Sequence, residues 1–207
     1  MPNMKARGSS VMQFDILNQG GKITCEFYRA NSDRAVIYMH GVGGGTHGPA
    51  NIYHPLAEDM LKGNISSLLI NCRYHSDLEE CISDVLACIN YLDEYYHMGC
   101  IGLIGWSFGG AVVISAAARE KRVRTVVTVA SQEYGTQDVD KIGASLLLIH
   151  GTADNTLSYS CSVHISERAR EPKKLVLFPG ADHGISQYRD EMFDLVKDWI
   201  LERLKCN

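Results

Sequence analysis

The 207-residue sequence has no long apolar run, no cluster of positive charge and no Cys-x-x-Cys pair, and each absence excludes a class of protein. No stretch approaches the roughly 18 apolar residues of a membrane-spanning helix, so no membrane partner is expected. A net charge of −4 without a basic patch argues against a nucleic-acid partner. No histidine and cysteine spacing indicates a metal site, and nothing in the sequence implies a cofactor.

Seven cysteines, an odd number, lie mostly within apolar segments. They are interpreted as buried apolar side chains in a reducing compartment, and not as a disulfide framework. Residues 1–10 contain two basic residues but lack the apolar stretch of a secretion signal. We therefore expect a loose N-terminal tail, a single domain over residues 11–207 and a cytoplasmic protein, whose oligomeric state the sequence leaves open.

Short apolar runs alternate with stretches of helical periodicity along most of the chain. Strands that are apolar throughout and alternate with helices predict an α/β fold. We expect a mostly parallel sheet with helices on both faces, an antiparallel hairpin at its N-terminal end and no cap domain. The predicted strands are residues 11–17, 22–29, 34–39, 66–72, 100–104, 123–130, 145–149 and 174–178. The predicted helices are residues 51–62, 77–96, 110–118, 160–171 and 189–204.

The most specific local pattern is a Gly-Trp-Ser-Phe-Gly turn at residues 105–109. An apolar run leads into it, and a helical run rich in Ala and Val follows at once. A tight turn from strand to helix brings neighbouring backbone very close, and glycine on both sides relieves the crowding because it has no β-carbon. The pattern predicts an elbow that raises the hydroxyl of Ser107 above the edge of the sheet.

Chemistry-bearing residues follow several of the predicted strands. A glycine-rich loop occupies residues 40–48, Ser107 follows a later strand, and Asp154 and His183 each follow strands beyond that. The carboxyl ends of parallel strands meet at one edge of a sheet, and ligands bind beyond that edge. The sequence therefore places a serine, an aspartate and a histidine at the same edge.

At this point the chain resembles the α/β-hydrolase superfamily, whose catalytic residues occur in the order serine, acid, histidine. The resemblance covers about Val11 to Leu204. Its specific motifs are HGVGGG (40–45), GWSFGG (105–110), HGTADNTLS (150–158) and FPGADHG (178–184). The small size and missing cap look most like the small carboxylesterases and the dienelactone-hydrolase-like branch, although typical dienelactone hydrolases carry a cysteine at the position of this serine.

The roles of these residues follow from chemical need. Ser107 is a weak nucleophile until His183 takes its proton, and Asp154 holds the imidazole in the correct tautomer. The developing oxyanion needs fixed hydrogen-bond donors. The resemblance implies that these are the backbone N–H groups of Val42 and Phe108.

Other residues are expected to line the substrate pocket. Trp106 and Phe108 flank the serine, which favours an apolar pocket, although Trp106 can equally pack beneath the elbow. His47 lies in the loop that precedes the first predicted helix and is a candidate for contact with the substrate. Residues 71–77, at the end of the predicted strand 66–72, lack the D-x-R-G-x-G-x-S motif that is common there in the superfamily. Tyr74 or His75 is a candidate to line the pocket instead.

Several residues compete for these roles. Glu133 is the rival catalytic acid because some hydrolases place the acid after the preceding strand, whereas Asp182 is expected to stabilise its loop. His40 and His150 each precede a glycine at a strand end and are expected to brace loops. His75 and His164 are interpreted as surface or helix-face residues.

The sequence as a whole predicts a serine hydrolase that cleaves carboxylic esters through an acyl-enzyme intermediate, with a small-molecule ester or thioester as substrate. Three alternatives use the same three side chains: a thioesterase, a peptidase and a perhydrolase. A fourth, of another class, is a binding or receptor protein that retains the fold and turns over slowly or not at all.

Overall fold

The structure is a computed structural model that describes residues 11–206, so the predicted tail at residues 1–10 lies outside the described residues. The strands are β1 (Val11–Asn18), β2 (Gly21–Tyr28), β3 (Arg34–Met39), β4 (Ser66–Asn71), β5 (Cys100–Trp106), β6 (Val123–Val129), β7 (Ser145–Gly151) and β8 (Lys173–Phe178). They form one sheet in the order β1-β2-β4-β3-β5-β6-β7-β8. The pairs β1–β2 and β2–β4 are antiparallel and all others are parallel, which confirms the predicted sheet and its N-terminal hairpin.

Five helices cover the two faces of the sheet. They are α1 (Tyr53–Lys62), α2 (Leu78–Tyr96), α3 (Phe108–Arg119), α4 (Ser160–Arg168) and α5 (Arg189–Arg203). No helix or segment of residues 11–206 forms a cap over the sheet edge, as predicted. None of the helices in this part of the chain is long and apolar enough to cross a membrane.

Alternating side chains of each central strand enter two separate apolar cores. In β3, Ala35, Ile37 and Met39 pack on the face covered by α2, α3 and α4. Val36 and Tyr38 pack on the other face, covered by α1 and α5. Because successive side chains of a strand point to opposite faces, a sheet buried on both sides needs apolar residues at every position. This requirement explains why the strands read as continuous apolar runs.

One helix is shorter than the sequence predicted. The pattern predicted a helix over residues 160–171, but α4 ends at Arg168 and Ala169 has extended backbone angles. The amine of Lys173 donates to the carbonyl oxygens of Ser166 (2.6 Å) and Ala169 (2.7 Å) and thus satisfies acceptors near the helix end. The proline at position 172 disfavours helical angles just before it, which helps to set this boundary.

A buried ion pair fixes the loop that follows β4. The carboxylate of Asp84, fully buried on α2, accepts hydrogen bonds from the Arg73 side chain (Nε, 2.7 Å) and from the Arg73 backbone N–H (2.9 Å). Asn18 of the hairpin donates to the same carboxylate at 2.8 Å. A buried carboxylate needs such donors to offset its lost hydration. The pair therefore anchors the segment that leads from the sheet edge into α2.

The interpretation that all cysteines are reduced is wrong for two of them. Cys100 and Cys206 form a disulfide, with their Cα atoms 6.1 Å apart, and the other five cysteines are free. Cys100 begins β5 on the face that α5 covers, and the chain beyond α5 returns to that point. The two residues are 106 positions apart, so no local spacing could indicate the pair. The disulfide also removes the ground on which a reducing compartment was inferred.

Alkylation tests this disulfide. In denaturant without reductant we expect iodoacetamide to modify five cysteines, and after reduction all seven, as counted by mass spectrometry. The Cys206→Ser variant is the control, because it should give the same count with and without reductant. Seven modifications of the unreduced wild-type protein would show that the disulfide does not form.

Candidate active site

Ser107 lies at a sharp turn between β5 and α3, where the sequence predicted an elbow. Its backbone angles are φ 58° and ψ −122°, and its N–H donates to the carbonyl oxygen of Val129 at 2.8 Å. A β-carbon at Gly105 would overlap the carbonyl oxygen of Gly109, and one at Gly109 would overlap the carbonyl oxygen of His40. Only glycine at these two positions allows the three chain segments to approach so closely.

The structure brings Ser107, His183 and Asp154 into a continuous chain of contacts. Nε2 of His183 lies 3.0 Å from Oγ of Ser107, and Nδ1 of His183 lies 2.6 Å from Oδ2 of Asp154. The side chain of Asp154 is 0% exposed and that of His183 is 19% exposed. The imidazole of His183 is therefore partly accessible to solvent, whereas the carboxylate of Asp154 behind it is shielded from water.

Backbone contacts hold the loops after β7 and β8 together and so set the distance between Asp154 and His183. The N–H of Ala153 donates to the carbonyl oxygen of Ala181 at 3.0 Å. The N–H of Gly180 donates to Oγ1 of Thr152 at 2.8 Å. Because these contacts lie beside Asp154 and His183, the two side chains are placed by the backbone and not only by their mutual attraction.

The environment of Asp154 keeps its carboxyl ionised. Burial acts to raise the pKa of Asp154, but hydrogen bonds from the Leu157 backbone, from His183 and from the Thr156 backbone outweigh it and hold the pKa below its usual value. An ionised carboxylate only accepts hydrogen bonds, so Nδ1 of His183 must carry a proton. Nε2, the other nitrogen of the ring, then faces the hydroxyl of Ser107.

Trp106 contacts the histidine and also packs against the apolar core on its side of the sheet. Its indole Nε1 donates to the carbonyl oxygen of His183 at 3.2 Å, and the two ring centroids are 5.6 Å apart. The residue before the serine thus braces the histidine 77 positions later in the chain. The sequence suggested a pocket residue here and gave no sign of this contact.

The loop that contains Val42 lies directly against the elbow. A β-carbon at Gly41 would be 3.4 Å from Cβ of Ser107. Gly44 donates to the Gly41 carbonyl oxygen at 3.3 Å, which closes a turn that does not use the N–H of Val42. Phe108 is the first residue of α3, and its N–H has no acceptor within the helix. Two backbone donors therefore flank Ser107 without being engaged by the turn or by the helix.

His40 fixes this loop, in agreement with the expectation that it braces backbone. Its Nε2 accepts from the N–H of Cys72 at 3.0 Å, so its Nδ1 carries the proton and donates to the carbonyl oxygen of Gly41 at 2.6 Å. Burial lowers the pKa of His40 and keeps the ring neutral. His150, the second expected brace, contacts Asp154 itself: Nε2 of His150 lies 3.1 Å from Oδ2 of the carboxylate.

A groove of about 520 Å³ opens beside Val42 and Phe108. Besides these two residues it is lined by Ser76, Asp77, Leu78, Glu79, Gln132 and Tyr134. His47, Tyr74 and Trp106, the residues predicted to contact substrate, do not line this groove. Tyr74 is exposed, with the guanidinium of Arg73 over its ring at 5.3 Å. The groove residues come from the loops after β3, β4 and β6 and from the first residues of α2 and α3. Apart from Val42 and Phe108, they lie in none of the motifs of the sequence analysis.

The rival acid and the remaining histidines take other positions. Glu133 pairs with His164 (3.0 Å) and Arg168 (3.3 Å) and is not in the chain of contacts with His183. His164 is exposed, as expected. His75 differs from its interpretation as a surface or helix-face residue, because it is half-buried in a loop with its ring 5.2 Å from that of His40.

Asp182 has the loop-stabilising contacts expected of it. Its carboxylate accepts hydrogen bonds from the backbone N–H groups of Gly184 and Ser186, both at 3.0 Å. Mainly because of the Ser186 bond, the pKa of Asp182 lies below its usual value. These bonds shape the turn that presents His183.

No group of three or more His, Cys, Asp or Glu side chains within residues 11–206 is arranged to hold a metal ion. Nδ1 of His47 lies 3.3 Å from Nε2 of His54. The other nitrogen of His54 contacts the hydroxyl of Tyr28 at 2.9 Å. His47 therefore belongs to a polar cluster at the outer end of the loop.

Sequence comparison finds two similarities. Residues 50–198 match the sequence model of the dienelactone hydrolase family. An uncharacterised protein of Escherichia coli K12, YfhR, is 27% identical over 124 residues, a stretch that covers 48% of this chain and 43% of that protein. The chain thus spans less than half of the length of this relative.

Solved structures share the fold at low sequence identity. Est1E from Butyrivibrio proteoclasticus superposes with a TM-score of 0.81 at 19% identity, over 92% of this chain and 98% of that one. A dienelactone hydrolase from Anabaena variabilis superposes with a TM-score of 0.83 at 20% identity, over 95% and 100% of the two chains. Both are α/β hydrolases, so the fold predicted from the sequence is confirmed.

The backbone angles of Ser107 lead to a stability prediction. We expect Ser107→Gly to be more stable than Ser107→Ala by about 1 kcal/mol, because only glycine adopts this conformation without strain. Both variants lack the hydroxyl, so the comparison isolates the backbone. Urea unfolding at neutral pH measures the difference, and equal free energies of unfolding would show that the elbow is not strained.

The lowered pKa of Asp154 predicts a pH-dependent stability. The hydrogen-bonded carboxylate contributes stability above its unfolded pKa, and this contribution is lost as the pH falls through the lower folded pKa. We expect Asp154→Asn to lower the free energy of unfolding by roughly 2 kcal/mol at neutral pH, with the gap to wild type narrowing below about pH 4. Urea unfolding across this range is the measurement. A gap independent of pH would contradict the prediction.

Proposed function

This chain belongs to the dienelactone hydrolase family, and we propose that it is an enzyme that hydrolyses esters as a serine hydrolase. Ser107 is the nucleophile, His183 the general base and acid, and Asp154 the group that orients the imidazole. The observation that carries this proposal is the chain of contacts from Ser107 Oγ to His183 Nε2 (3.0 Å) and from His183 Nδ1 to Asp154 Oδ2 (2.6 Å).

Acylation begins when the hydroxyl of Ser107 attacks the ester carbonyl carbon. A bond forms between Oγ and carbon as the hydroxyl proton moves to Nε2 of His183, and the carbonyl oxygen gains the negative charge. The N–H groups of Val42 and Phe108 stabilise that oxyanion; removing one such donor typically costs about 3–4 kcal/mol of transition-state stabilisation. Asp154, held ionised, stabilises the imidazolium that forms.

Collapse of the tetrahedral intermediate breaks the bond to the alcohol. His183 gives its proton from Nε2 to the departing oxygen, which leaves an acyl group on Ser107. A water molecule then repeats the sequence: it loses a proton to His183, attacks the acyl carbon and releases the acid, while the proton returns to Oγ. Atoms and charge balance without a cofactor, so no cofactor is part of the proposal.

The proposed substrate is a small-molecule ester, and one of its two groups lies in the groove beside Val42. The sheet edge carries no cap within the described residues, which leaves the groove open to solvent and accessible to substrates of varied size. The Anabaena protein is named a dienelactone hydrolase, and a lactone is a cyclic ester, which supports ester cleavage at this type of site. A serine in place of the cysteine of typical dienelactone hydrolases favours plain esters or thioesters.

Two variants test the mechanism. We expect Ser107→Ala to lower kcat on p-nitrophenyl acetate by at least about a thousandfold, because the nucleophile is lost, and His183→Ala to do the same. The control is Ser186→Ala, a substitution on the same sheet edge that removes no reacting group. Turnover by Ser107→Ala at the wild-type rate would refute the proposal.

Covalent labelling separates an enzyme from a binding protein of the same fold. A fluorophosphonate should modify wild-type protein on the peptide that carries Ser107, because only an activated serine reacts with it. The Ser107→Ala and His183→Ala variants should remain unlabelled. Absence of labelling in the wild-type protein would favour the binding-protein alternative, and a substrate panel with thioesters and peptides would assign the bond that is cleaved.

A further inference from the structure

A second histidine lies on the far side of the carboxylate of Asp154. His150, the next-to-last residue of β7, has a side chain that is 0% exposed. Its Nε2 lies 3.1 Å from Oδ2 of Asp154 and 3.1 Å from the carbonyl oxygen of Leu157. Its Nδ1 lies 2.7 Å from Oγ of Ser162 on α4. Every polar atom of this buried ring therefore has a partner.

These partners determine where the proton of His150 resides. The carbonyl oxygen of Leu157 and the ionised carboxylate of Asp154 only accept hydrogen bonds, so Nε2 must be the protonated nitrogen. Nδ1 is then the acceptor for the hydroxyl of Ser162. Burial lowers the pKa of His150, which keeps the ring neutral at neutral pH in spite of the adjacent carboxylate.

The carboxylate of Asp154 is consequently held at both oxygens. Oδ1 accepts from the backbone N–H groups of Thr156 (2.7 Å) and Leu157 (2.9 Å). Oδ2 accepts from His183 (2.6 Å) and from His150 (3.1 Å). These four donors match the roughly four lone-pair sites of a carboxylate. The group cannot rotate without breaking hydrogen bonds at both oxygens.

We propose that His150 is a positioning residue for ester hydrolysis: its Nε2–H fixes Oδ2 of Asp154 so that the carboxylate meets Nδ1 of His183 in a single orientation. This rests on the proposed function of Ser107, His183 and Asp154. His150 touches neither substrate nor the reacting atoms, and it acts only through Asp154. Removing the Nε2–H of His150 frees Oδ2 of Asp154 on one side. The imidazole of His183 then loses part of its fixed alignment with Ser107.

Two substitutions separate this role from that of a structural brace. The terminal amide of glutamine reaches the position of histidine Nε2, so His150→Gln retains an N–H donor for Asp154. The terminal amide of asparagine reaches only the position of Nδ1, so His150→Asn retains the contact to Ser162 and loses the donor. Ser162→Ala is the complementary control, because it removes the other contact and leaves the Nε2–H in place.

Steady-state kinetics with p-nitrophenyl acetate provide the first test. We expect His150→Asn to lower kcat by about 10- to 100-fold with little change in KM, as a small misalignment of the reacting groups does. His150→Gln and Ser162→Ala should stay within about threefold of the wild-type kcat. Unfolding in urea should show similar losses of stability for the asparagine and glutamine variants. Equal losses of kcat in these two variants, or full activity of His150→Asn, would overturn the proposal.

A second readout does not depend on activity. Long-range ¹H–¹⁵N correlation spectra of the wild-type protein at neutral pH should show His150 as a neutral ring protonated at Nε2. A ring protonated at Nδ1, or a charged ring, would overturn the proposal.

Absence of fluorophosphonate labelling in the wild-type protein would instead refute the proposed function, so the two failures are distinguishable. In His150→Asn, labelling should persist at a reduced rate, and an unchanged rate would also overturn the positioning role.

Discussion

The sheet is covered on both faces, and this constraint decides where charge is placed in the molecule. In the strands β3 to β8, Asp, Glu, Lys and Arg occur only within the first two residues of a strand, at Arg34, Arg124, Lys173 and Lys174. The strands β4, β5 and β7 contain none. Asp154 and His183 are therefore supplied by the loops beyond the opposite, carboxyl ends of the strands, where both apolar cores end.

At that edge, the position of each imidazole proton is set by a neighbouring oxygen that can only accept. The carbonyl oxygen of Gly41 plays this part for His40, that of Leu157 for His150, and the carboxylate of Asp154 for His183. Each ring then presents a bare nitrogen to a donor on its other side. Such a series of hydrogen bonds fixes the tautomer of each histidine. The hydrogen bonds of the site are therefore formed before a substrate arrives.

The sequence was sufficient where the signal is local. Apolar runs predicted the strands, and glycines around Ser107 predicted the elbow, because each depends on neighbours within a few residues. The order of serine, aspartate and histidine along the chain predicted their meeting because the parallel topology brings strand ends together. Their distances agree with that expectation, while the roles assigned to them remain proposals.

Contacts between distant segments were not accessible in the same way. The hydrogen bond from Trp106 to the His183 backbone, the packing of His75 on His40 and the pairing of Glu133 with His164 depend on side-chain directions that no local pattern encodes. The end of α4 at Arg168 was misjudged because helical periodicity continues past the point where backbone conformation changes. The other residues of the groove beside Val42 were not predicted, because they too come from segments that are distant in the sequence.

The bond between Cys100 and Cys206 has a topological consequence. It closes a covalent ring of chain that contains β5 to β8 and, with them, Ser107, Asp154 and His183. A single cut by a protease in any loop of this ring leaves the two pieces tethered at the start of β5. The part of the chain that carries Ser107, Asp154 and His183 is thus protected against separation after nicking. A cut before Cys100, outside the ring, would instead leave its two pieces joined by noncovalent contacts alone.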